Sequence, residues 1–330
     1  MRNDQVPVAL DAAIAAFLAH KHVFGRRYYT EEYILKSVRR FVARQRASDL
    51  SASVFERWCR AEQDLSPNTR YTRQLLVHKL CLFRRRTDPG CFVPDPSGFA
   101  RPRPRRPPVL VSSAQVFALL KAAKRLASSQ HCPLRPAVMR IAIILLYTAG
   151  LRRGEVVRLQ LADVDARHGV LRIRESKFHR SRWVPLSKEA CREMRRYLCR
   201  RLSKPYDVRP EAPLLCNRSC SYGHLGWHSY TGAGLRQGLH ELFNRADIRD
   251  VQGRRPRVQD VRHSFAVEAL SRCYRRGGDV QTLLPKLALY MGHVSIVSTA
   301  YYLHFVPEVA ALASERFGRR FSHLVDSGDS

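Results

Sequence analysis

The chain is 330 residues long and carries 58 lysine and arginine residues against 28 aspartate and glutamate residues, a formal net charge of +30. Its length exceeds one ordinary domain, and its 45% content of apolar residues excludes a disordered basic chain. A folded chain with this charge repels itself unless it meets a polyanion. Nucleic acid is the commonest polyanion, and heparin-like polymers or anionic membranes are the alternatives.

The first 95 residues are predicted to form a small helical domain. Apolar residues recur at helical spacing in VALDAAIAAFLAH, EEYILKSVRRFVARQ and TRYTRQLLVHKLCLFRRR. Basic residues crowd these helices without evident acidic partners, which favours contact with a DNA backbone over a merely solvated face. The residues predicted to contact DNA in this domain are Arg39, Arg40, Arg70, Arg73 and Lys79.

Residues 96–111 are predicted to form a connector. The surrounding stretch PDPSGFARPRPRRPPV is dense in proline and arginine, and proline at this density prevents a helix and favours an extended chain. We therefore expect two domains, 1–95 and 112–330, on either side of it.

Residues 112–330 are predicted to form a mainly helical domain with one small antiparallel sheet. Ser112 followed by Gln115 is a capping-box pattern, which begins a helix, and RPAVMRIAIILLYTA is apolar almost all round, as in a buried central helix. The runs GVLRIRES and RSRWVPL, separated by a short polar turn, predict a β-hairpin. Helical spacing then returns in further segments, the last of them PEVAALASERFGRRF.

Cysteine usage and hydropathy indicate the compartment. The nine cysteines are odd in number and follow no regular framework, which is typical of reduced thiols rather than a secreted disulfide scaffold. The N-terminal apolar run contains Asp11 and lacks a basic lead-in, so we expect no signal peptide. Residues 141–151 form the most apolar stretch and are too short to span a bilayer. We expect a cytoplasmic, nucleoid-associated protein that does not bind membranes.

Basic motifs lie far apart in the second domain, each at the boundary of a predicted element. TAGLRRGE places Arg152 just after a glycine that ends a helix, and ESKFHRSRWVPL places Lys177 at the tip of the hairpin. QDVRHSF places Arg262 at a helix start, and LYMGHVSIVSTAYYLHF places His293 nine residues before Tyr302. Each motif alone is weak, but this order over about 150 residues is not expected by chance.

The ordered set of motifs resembles the tyrosine recombinases, the phage integrase family, over residues 112–330. The resemblance implies a two-domain DNA clamp, made of a helical core-binding domain and a catalytic domain. It implies double-stranded DNA with specific recombination sites as the partner, and a homo-oligomer, expected to be a tetramer, on synapsed DNA. Companion recombinases are a further expectation. No ATP, metal or other cofactor is implied.

The resemblance also implies a role for each motif in cleaving a phosphodiester by transesterification. Such a reaction needs a nucleophile, a cationic clamp on the phosphate oxygens and an acid for the leaving oxygen. Arg152 and Arg262 are expected to form the clamp, because two guanidinium groups neutralise the charge of a pentacoordinate phosphate. Lys177 is expected to protonate the departing 5′ oxygen, and His293 to bind the phosphate or assist the proton of Tyr302.

The spacing of the family selects Tyr302 as the nucleophile over Tyr301. Adjacent residues on a helix point about 100° apart, so only one of them enters the site. One position departs from the family pattern, because Gln259 stands where a histidine is usual. Glutamine donates a hydrogen bond but does not exchange a proton at neutral pH, which puts full activity in doubt. His263 could compensate, although we expect it to be structural.

Other residues in the motifs have alternative interpretations. Arg174, Arg180 and Arg182 flank Lys177 and are predicted to contact DNA, and Lys177 itself could be one more such cation. Glu155 either braces the arginines of the site or caps a helix. The C-terminal segment is expected to dock on a neighbouring protomer or to pack on its own domain.

Rival functions also follow from the sequence. Cys216, Cys220, His224 and His228 suggest zinc, but their spacing is not a standard zinc pattern and the family has an ordinary loop here. Loss of the histidine suggests a catalytically impaired DNA-binding subunit. Charge alone would also suit a helical RNA-binding protein, in which Lys177 and Tyr302 would be dispensable.

Overall fold

The computed structural model describes residues 8–25, 28–104, 106–174, 181–221, 224–293, 295–305 and 311. The chain divides into two compact units, Met1–Arg106 and Pro107–Ser330. Within the described ranges no helix is long and apolar enough to cross a membrane.

The first unit is helical. Its helices are α1 (Val8–Val23), α2 (Tyr29–Arg44), α3 (Ala52–Ala61) and α4 (Pro67–Arg84), followed by a short 3₁₀ turn at Pro96–Gly98. The three predicted helices are confirmed, and α3 was not predicted because its ten residues span less than three turns. Ser51 caps α3 by accepting a hydrogen bond from the backbone N–H of Val54. Phe55 and Trp58 on α3 complete the core of this unit.

The division between the units falls inside the predicted connector, after Arg106. Residues near both ends of that segment nevertheless pack against a unit. Phe99 is buried in the core of the first unit, and the backbone N–H of Ala100 donates to Gln74. Val109 and Val111 are buried in the second unit, where their N–H groups donate to Asp260 and Ser264 of a helix described below.

The second unit holds the larger core and the sheets. Its helices are α5 (Ser113–Lys124), α6 (Arg135–Thr148), α7 (Arg153–Arg158), α8 (Lys188–Arg201), α9 (Gly232–Arg245), α10 (Val258–Arg275), α11 (Val280–Met291) and α12 (Val297–Ala300). Its strands are β1 (Val164–Asp165), β2 (Val170–Ile173), β3 (Arg182–Pro185), β4 (Cys216–Ser221) and β5 (His224–Ser229), and 3₁₀ turns occupy Leu161–Asp163 and Tyr301–Phe305. The prediction of a mainly helical fold with a small antiparallel sheet is confirmed.

Helix α6 is the centre of this unit, as its apolar sequence predicts. Residues on every side of it, among them Val138, Leu145 and Leu146, are buried. The predicted capping box at the start of α5 is also present, with Ser112 accepting from Gln115 N–H and the Gln115 side chain accepting in return. The predicted C-terminal helix lies outside the described residues.

The predicted hairpin forms an antiparallel sheet in the order β1-β2-β3, with Leu171 opposite Val184. A second antiparallel pair, β4 and β5, lies where an ordinary loop was predicted, so that prediction is wrong. The strands CNRSCS and HLGWHS contain no β-branched residue, and sequence propensity therefore gave no signal for them.

The zinc hypothesis falls on this β4–β5 hairpin. Cys216 is buried opposite Ser229, whereas Cys220 lies opposite Leu225 at the far end of the pair. In the part of the chain that the structure describes, no group of three or more His, Cys, Asp or Glu residues is placed to hold a metal ion.

Candidate active site

The site begins at the sharp turn that follows α6. Gly150 adopts a left-handed conformation with φ of 57°, and a Cβ atom there would lie 2.4 Å from the ring of Phe265. Glycine therefore permits both the turn and the close approach of α10. The turn places Arg152 at the start of α7, three residues before Glu155.

Glu155 is a buried carboxylate that organises three arginines. Its Oε2 accepts from the backbone N–H of Arg152 at 2.8 Å, and its Oε1 accepts from Arg152 Nη1 at 2.8 Å. Arg182 donates Nη1 to Oε1 and Nη2 to Oε2, both at 3.0 Å, and Arg262 Nη1 lies 3.7 Å from Oε2. Burial opposes ionisation of Glu155, but the hydrogen bonds and charge of Arg182 outweigh it and lower the pKa to about 2. Glu155 thus both caps α7 and braces the arginines.

Arg182 lies inside this network rather than on an exposed face. Its side chain is only 10% exposed, and its Nε donates to the backbone carbonyl of Tyr290 at 2.8 Å. Its guanidinium is therefore committed to Glu155 and to the end of α11. The prediction that Arg182 contacts DNA does not fit this position, because its hydrogen-bonding groups already face the interior.

Arg262 is buried at the start of α10, with 1% of its side chain exposed. Nη1 donates to the carbonyl of Gly150 at 2.5 Å and Nη2 to that of Met291 at 2.7 Å, while Nε is buried without a hydrogen-bond partner among the residues that the structure describes. Burial, reinforced by the charge of Arg152, lowers the pKa of Arg262 to about 9 although Glu155 opposes the shift. Arg262 therefore remains a cation at neutral pH, and the N–H of its Nε is not engaged by the described residues.

Arg152 joins the same group of backbone carbonyls from the other side. Its Nη2 donates to the carbonyl of Gly292 at 2.7 Å, and its side chain is partly exposed. Gly292 ends α11 with φ of 67°, and a Cβ atom there would lie 2.7 Å from Arg182 Nη1. The glycine of the Gly-His motif is thus required by the arginines packed against it.

Tyr302 is buried in the 3₁₀ turn after α12, with 2% of the residue exposed, whereas its neighbour Tyr301 is 39% exposed. The Tyr302 Oη lies 3.0 Å from Nδ1 of His263. Burial raises the pKa of Tyr302, although the charges of Arg262 and Arg152 oppose that rise. Of the two tyrosines, Tyr302 is the one that faces the arginines.

His293 stands beside Tyr302, with ring centroids 6.1 Å apart and planes inclined by 27°. Its Nδ1 is 2.7 Å from Oγ1 of the buried Thr299 on α12. Burial, together with the charges of Arg262 and Arg152, lowers the pKa of His293 to about 4, so its ring is neutral at physiological pH.

Not every predicted site residue lies near Glu155 and Tyr302 in the structure. Gln259 is exposed on the first turn of α10, and its side chain makes no hydrogen bond to the described part of the chain. Lys177 and Arg180 lie outside the described residues. His263, expected to be structural, instead contacts the tyrosine hydroxyl. Its position directly after Arg262 was the only sequence signal for it.

The basic residues predicted to contact DNA differ in their surroundings. The expected absence of acidic partners on the helices of the first unit is wrong for two residues, because Arg39 pairs with Asp11 at 2.5 Å and Arg73 with Glu62 at 2.6 Å. In the second unit, Arg174 pairs with Asp163 at 2.6 Å. Arg40 and Lys79 are exposed, and Arg70 is partly buried. Exposed cations are better placed for a phosphate than cations held by a carboxylate.

Comparison with known proteins identifies the family. The family model described as "Phage integrase family" matches residues 110–308, more than half of the chain. The chain belongs to the phage integrase family. The tyrosine recombinase resemblance carried by the motifs is thereby confirmed.

Relatives of this family member include two Sinorhizobium fredii proteins named as integrases/recombinases. The chain is 34% identical to y4rB over 269 residues, which cover 80% of the chain and 82% of the relative. It is 36% identical to y4rE over 218 residues, covering 66% of each. Tyrosine recombinase XerD of Proteus mirabilis is 27% identical over 248 residues, which cover 74% of the chain and 67% of XerD.

Solved structures agree on the fold. The Tn1549 transposon integrase in complex with transposon right end DNA matches with a TM-score of 0.61 and 17% identity, covering 94% of this chain and 99% of that one. The XerH site-specific recombinase bound to a palindromic difH substrate also matches with a TM-score of 0.61 and 17% identity, covering 86% of this chain and 78% of that one.

Proposed function

We propose that this family member is a site-specific DNA recombinase that cleaves and rejoins strands of a mobile element through a 3′-phosphotyrosine intermediate. One observation carries the proposal. Four predicted site residues that are spread over about 150 residues of sequence lie close together in the fold. Arg152 and Arg262 approach the buried carboxylate of Glu155 and the end of α11, and the ring of His293, which follows that helix, lies beside Tyr302.

Arg152 and Arg262 supply the cationic clamp of the proposed reaction. Glu155 and backbone carbonyls hold both guanidinium groups in place before DNA arrives, so little reorganisation is needed when charge develops on a phosphate. The unpaired Nε of Arg262 and the partly exposed side chain of Arg152 retain donors for phosphate oxygens. His293 adds a neutral ring beside them.

Tyr302 is the proposed nucleophile. Its attack on a phosphate conserves the phosphoester energy in the protein–DNA bond, and this energy drives rejoining when a 5′-hydroxyl attacks in return. Tyr301 is turned outward, with its ring edge-on to Phe305 at 5.2 Å, and is a packing residue in this proposal.

The burial of Tyr302 means that DNA must open the site. Tyr302 lies in the turn directly after the short helix α12, in which Val297 and Ser298 are exposed and Thr299 is buried. We expect DNA binding to accelerate hydrogen exchange in residues 297–305. Slower or unchanged exchange there would contradict this opening step.

Lys177 is the proposed acid for the leaving 5′ oxygen. The base of its hairpin is tied to the site, because Arg182 on β3 bonds Glu155 and Tyr290. Because the base of the hairpin is fixed in this way, we propose that its lysine approaches the scissile phosphate while β3 stays in place. This role rests on the family motif, since residues 175–180 lie outside the described structure.

Double-stranded DNA is the proposed partner. The net charge of +30 supports a polyanion, and the Tn1549 integrase and XerH structures contain DNA. We propose that copies of the chain assemble on paired sites as a tetramer, an assembly that companion recombinases can also join. Binding should weaken steeply with salt, because many phosphate contacts release counterions.

The experiment that tests this proposal uses duplex DNA from the ends of the element that encodes the protein. Each strand is nicked near the candidate junction so that a cleaved strand cannot be rejoined. We expect a denaturant-stable protein–DNA adduct that is lost in Tyr302→Phe and retained in Tyr301→Phe. Tight, salt-sensitive binding without an adduct from the wild type would contradict the proposal.

A second candidate function is supported by Gln259. A glutamine at this exposed position cannot supply proton transfer, which would suit a catalytically impaired DNA-binding subunit of a recombinase complex. The variant Gln259→His separates the two functions. A large rise in cleavage indicates an impaired site, whereas an unchanged rate indicates that another residue already supplies the missing chemistry.

A further inference from the structure

The hydrogen bond between His263 and Tyr302 has a catalytic consequence that rests on the proposed function. We infer that His263 is the general base that removes the proton of the Tyr302 hydroxyl during cleavage and returns it during rejoining. This assignment gives the proton a destination in a chain that lacks the usual histidine at position 259.

Geometry selects His263 among the side chains near the hydroxyl. Its Nδ1 lies 3.0 Å from Tyr302 Oη, which is hydrogen-bond distance, and the two ring centroids are 5.3 Å apart. Nδ1 of His293 is already hydrogen-bonded to Thr299, and Arg262 is a cation that has no acceptor atom.

A general base at this position must be a neutral imidazole. A tyrosine O–H donates to Nδ1 only when the imidazole is neutral with its proton on Nε2. Burial lowers the pKa of His263, and the positive charges of Arg257 and Arg262 act in the same direction. The neutral ring is therefore the resting state at neutral pH.

The imidazolium that His263 becomes after proton transfer is stabilised by a nearby negative charge. Asp260 lies one turn earlier on α10, and its negative charge favours the protonated imidazole. Its carboxylate is fixed by the backbone N–H of Arg257 at 2.9 Å and of Val109 at 3.3 Å. Two further titratable rings lie near Tyr302, namely His293 after the end of α11 and the neighbouring Tyr301.

The proposed step balances. During cleavage the Oη–H bond of Tyr302 breaks, its proton moves to Nδ1 of His263, and an Oη–P bond forms. The bond from phosphorus to the 5′ oxygen breaks, and that oxygen receives a proton from the proposed acid, Lys177. During rejoining the 5′-hydroxyl attacks, its proton returns to the lysine, and the leaving tyrosine recovers its proton from His263.

Two substitutions at this position test the assignment in the full-length protein. His263→Asn keeps a hydrogen-bonding group near the position of Nδ1 but cannot take up a proton, and His263→Ala removes the group. The matched control is His240→Asn on α9, a partly buried histidine edge-on to Phe243. Adduct formation on the nicked duplex is measured across pH with all three variants, and circular dichroism checks that each is folded.

A second substrate distinguishes whether His263 acts as a general base or as a general acid. It carries sulfur in place of the 5′ oxygen at the scissile phosphate, and this leaving group needs no proton. We expect His263→Asn to lower the adduct rate by roughly 10²- to 10⁴-fold on both substrates and to abolish the acidic limb of the wild-type pH profile. Lys177→Ala should be rescued by sulfur, and His240→Asn should match the wild type.

Other outcomes overturn the assignment. A His263→Asn rate within about threefold of the wild type excludes a base. Rescue by sulfur makes His263 an acid, and faster cleavage in His263→Ala makes the hydrogen bond a restraint on Tyr302. Failure of the proposed function is distinguishable, because the wild type then forms no adduct or Tyr302→Phe still forms one. That result removes the basis of the assignment as well.

Discussion

Arg182 approaches Glu155 end-on, so that its two terminal nitrogens each lie 3.0 Å from one of the two carboxylate oxygens. The contact joins β3 to α7, and the same guanidinium reaches the carbonyl of Tyr290 at the end of α11. Three elements far apart in sequence are thus fixed around one carboxylate. Arg152 and Arg262 derive their positions from this arrangement.

Glu155→Gln should destabilise the protein strongly. It leaves the buried guanidinium groups of Arg182 and Arg262 without their counter-charge, which typically costs about 3 to 5 kcal/mol. The control is Glu193→Gln, where the carboxylate pairs with Arg140 on a partly exposed surface and the expected loss is at most about 1 kcal/mol. Urea unfolding measures both, and equal losses would contradict the bracing role.

Acid should weaken the wild type through the same carboxylate. The pKa of Glu155 is lowered from 4.5 to about 2 in the folded protein, so its contribution is present above pH 4.5 and is lost as the pH falls toward 2. The part of the unfolding free energy at stake is on the order of 3 kcal/mol. Unfolding at a series of acidic pH values should show a shallower decline in Glu155→Gln; parallel declines would refute this assignment.

Arg182→Ala should slow cleavage more than it weakens DNA binding. Loss of the brace misplaces the arginines of the site, and a misplacement of about 1 Å can cost on the order of 100-fold in rate. The control is Arg172→Ala on β2, whose exposed guanidinium lies over Trp183 in the same hairpin. Adduct rates at saturating DNA, with the salt dependence of binding, distinguish the two. A reduced salt slope with an unchanged rate in Arg182→Ala would restore the DNA-contact interpretation.

Gly292→Ala should impair cleavage as well as stability. Its left-handed backbone disfavours alanine by roughly 1 to 2 kcal/mol, and the new methyl group would lie 2.7 Å from Arg182 Nη1. Gly253→Ala has the same backbone penalty, with φ of 72°, but no atom of the described residues lies within 4 Å of the added methyl group. We expect both variants to lose stability and only Gly292→Ala to lose adduct formation. Equal adduct rates would show that the arginines tolerate the displacement.

Local signals in the sequence account for much of the fold and of the site. The capping pattern at Ser112, the apolar helix α6 and the glycine at 150 define elements from their own residues. The motif order then places Arg152 and Arg262 at the ends of elements that the fold brings together. Such predictions succeed because caps, turns and periodicity act over a few residues.

The features that the sequence did not predict depend on contacts between elements that are distant in sequence. Adjacent residues on a helix point in different directions, so Arg262 and His263 leave α10 toward different neighbours. The structure accommodates both, because Arg262 faces the carbonyls of Gly150 and Met291 while His263 faces the turn that carries Tyr302. No local sequence pattern predicts the contact between α10 and the turn that carries Tyr302. The same is true of the contact between β3 and α7.

The most direct test of the central claim is to identify the atom that joins protein to DNA. The adduct from the nicked duplex is trimmed with nuclease and digested with trypsin, and the modified peptide is sequenced by mass spectrometry. We predict a nucleotide remnant on Tyr302. A remnant on Tyr301, or on a residue other than tyrosine, would contradict it.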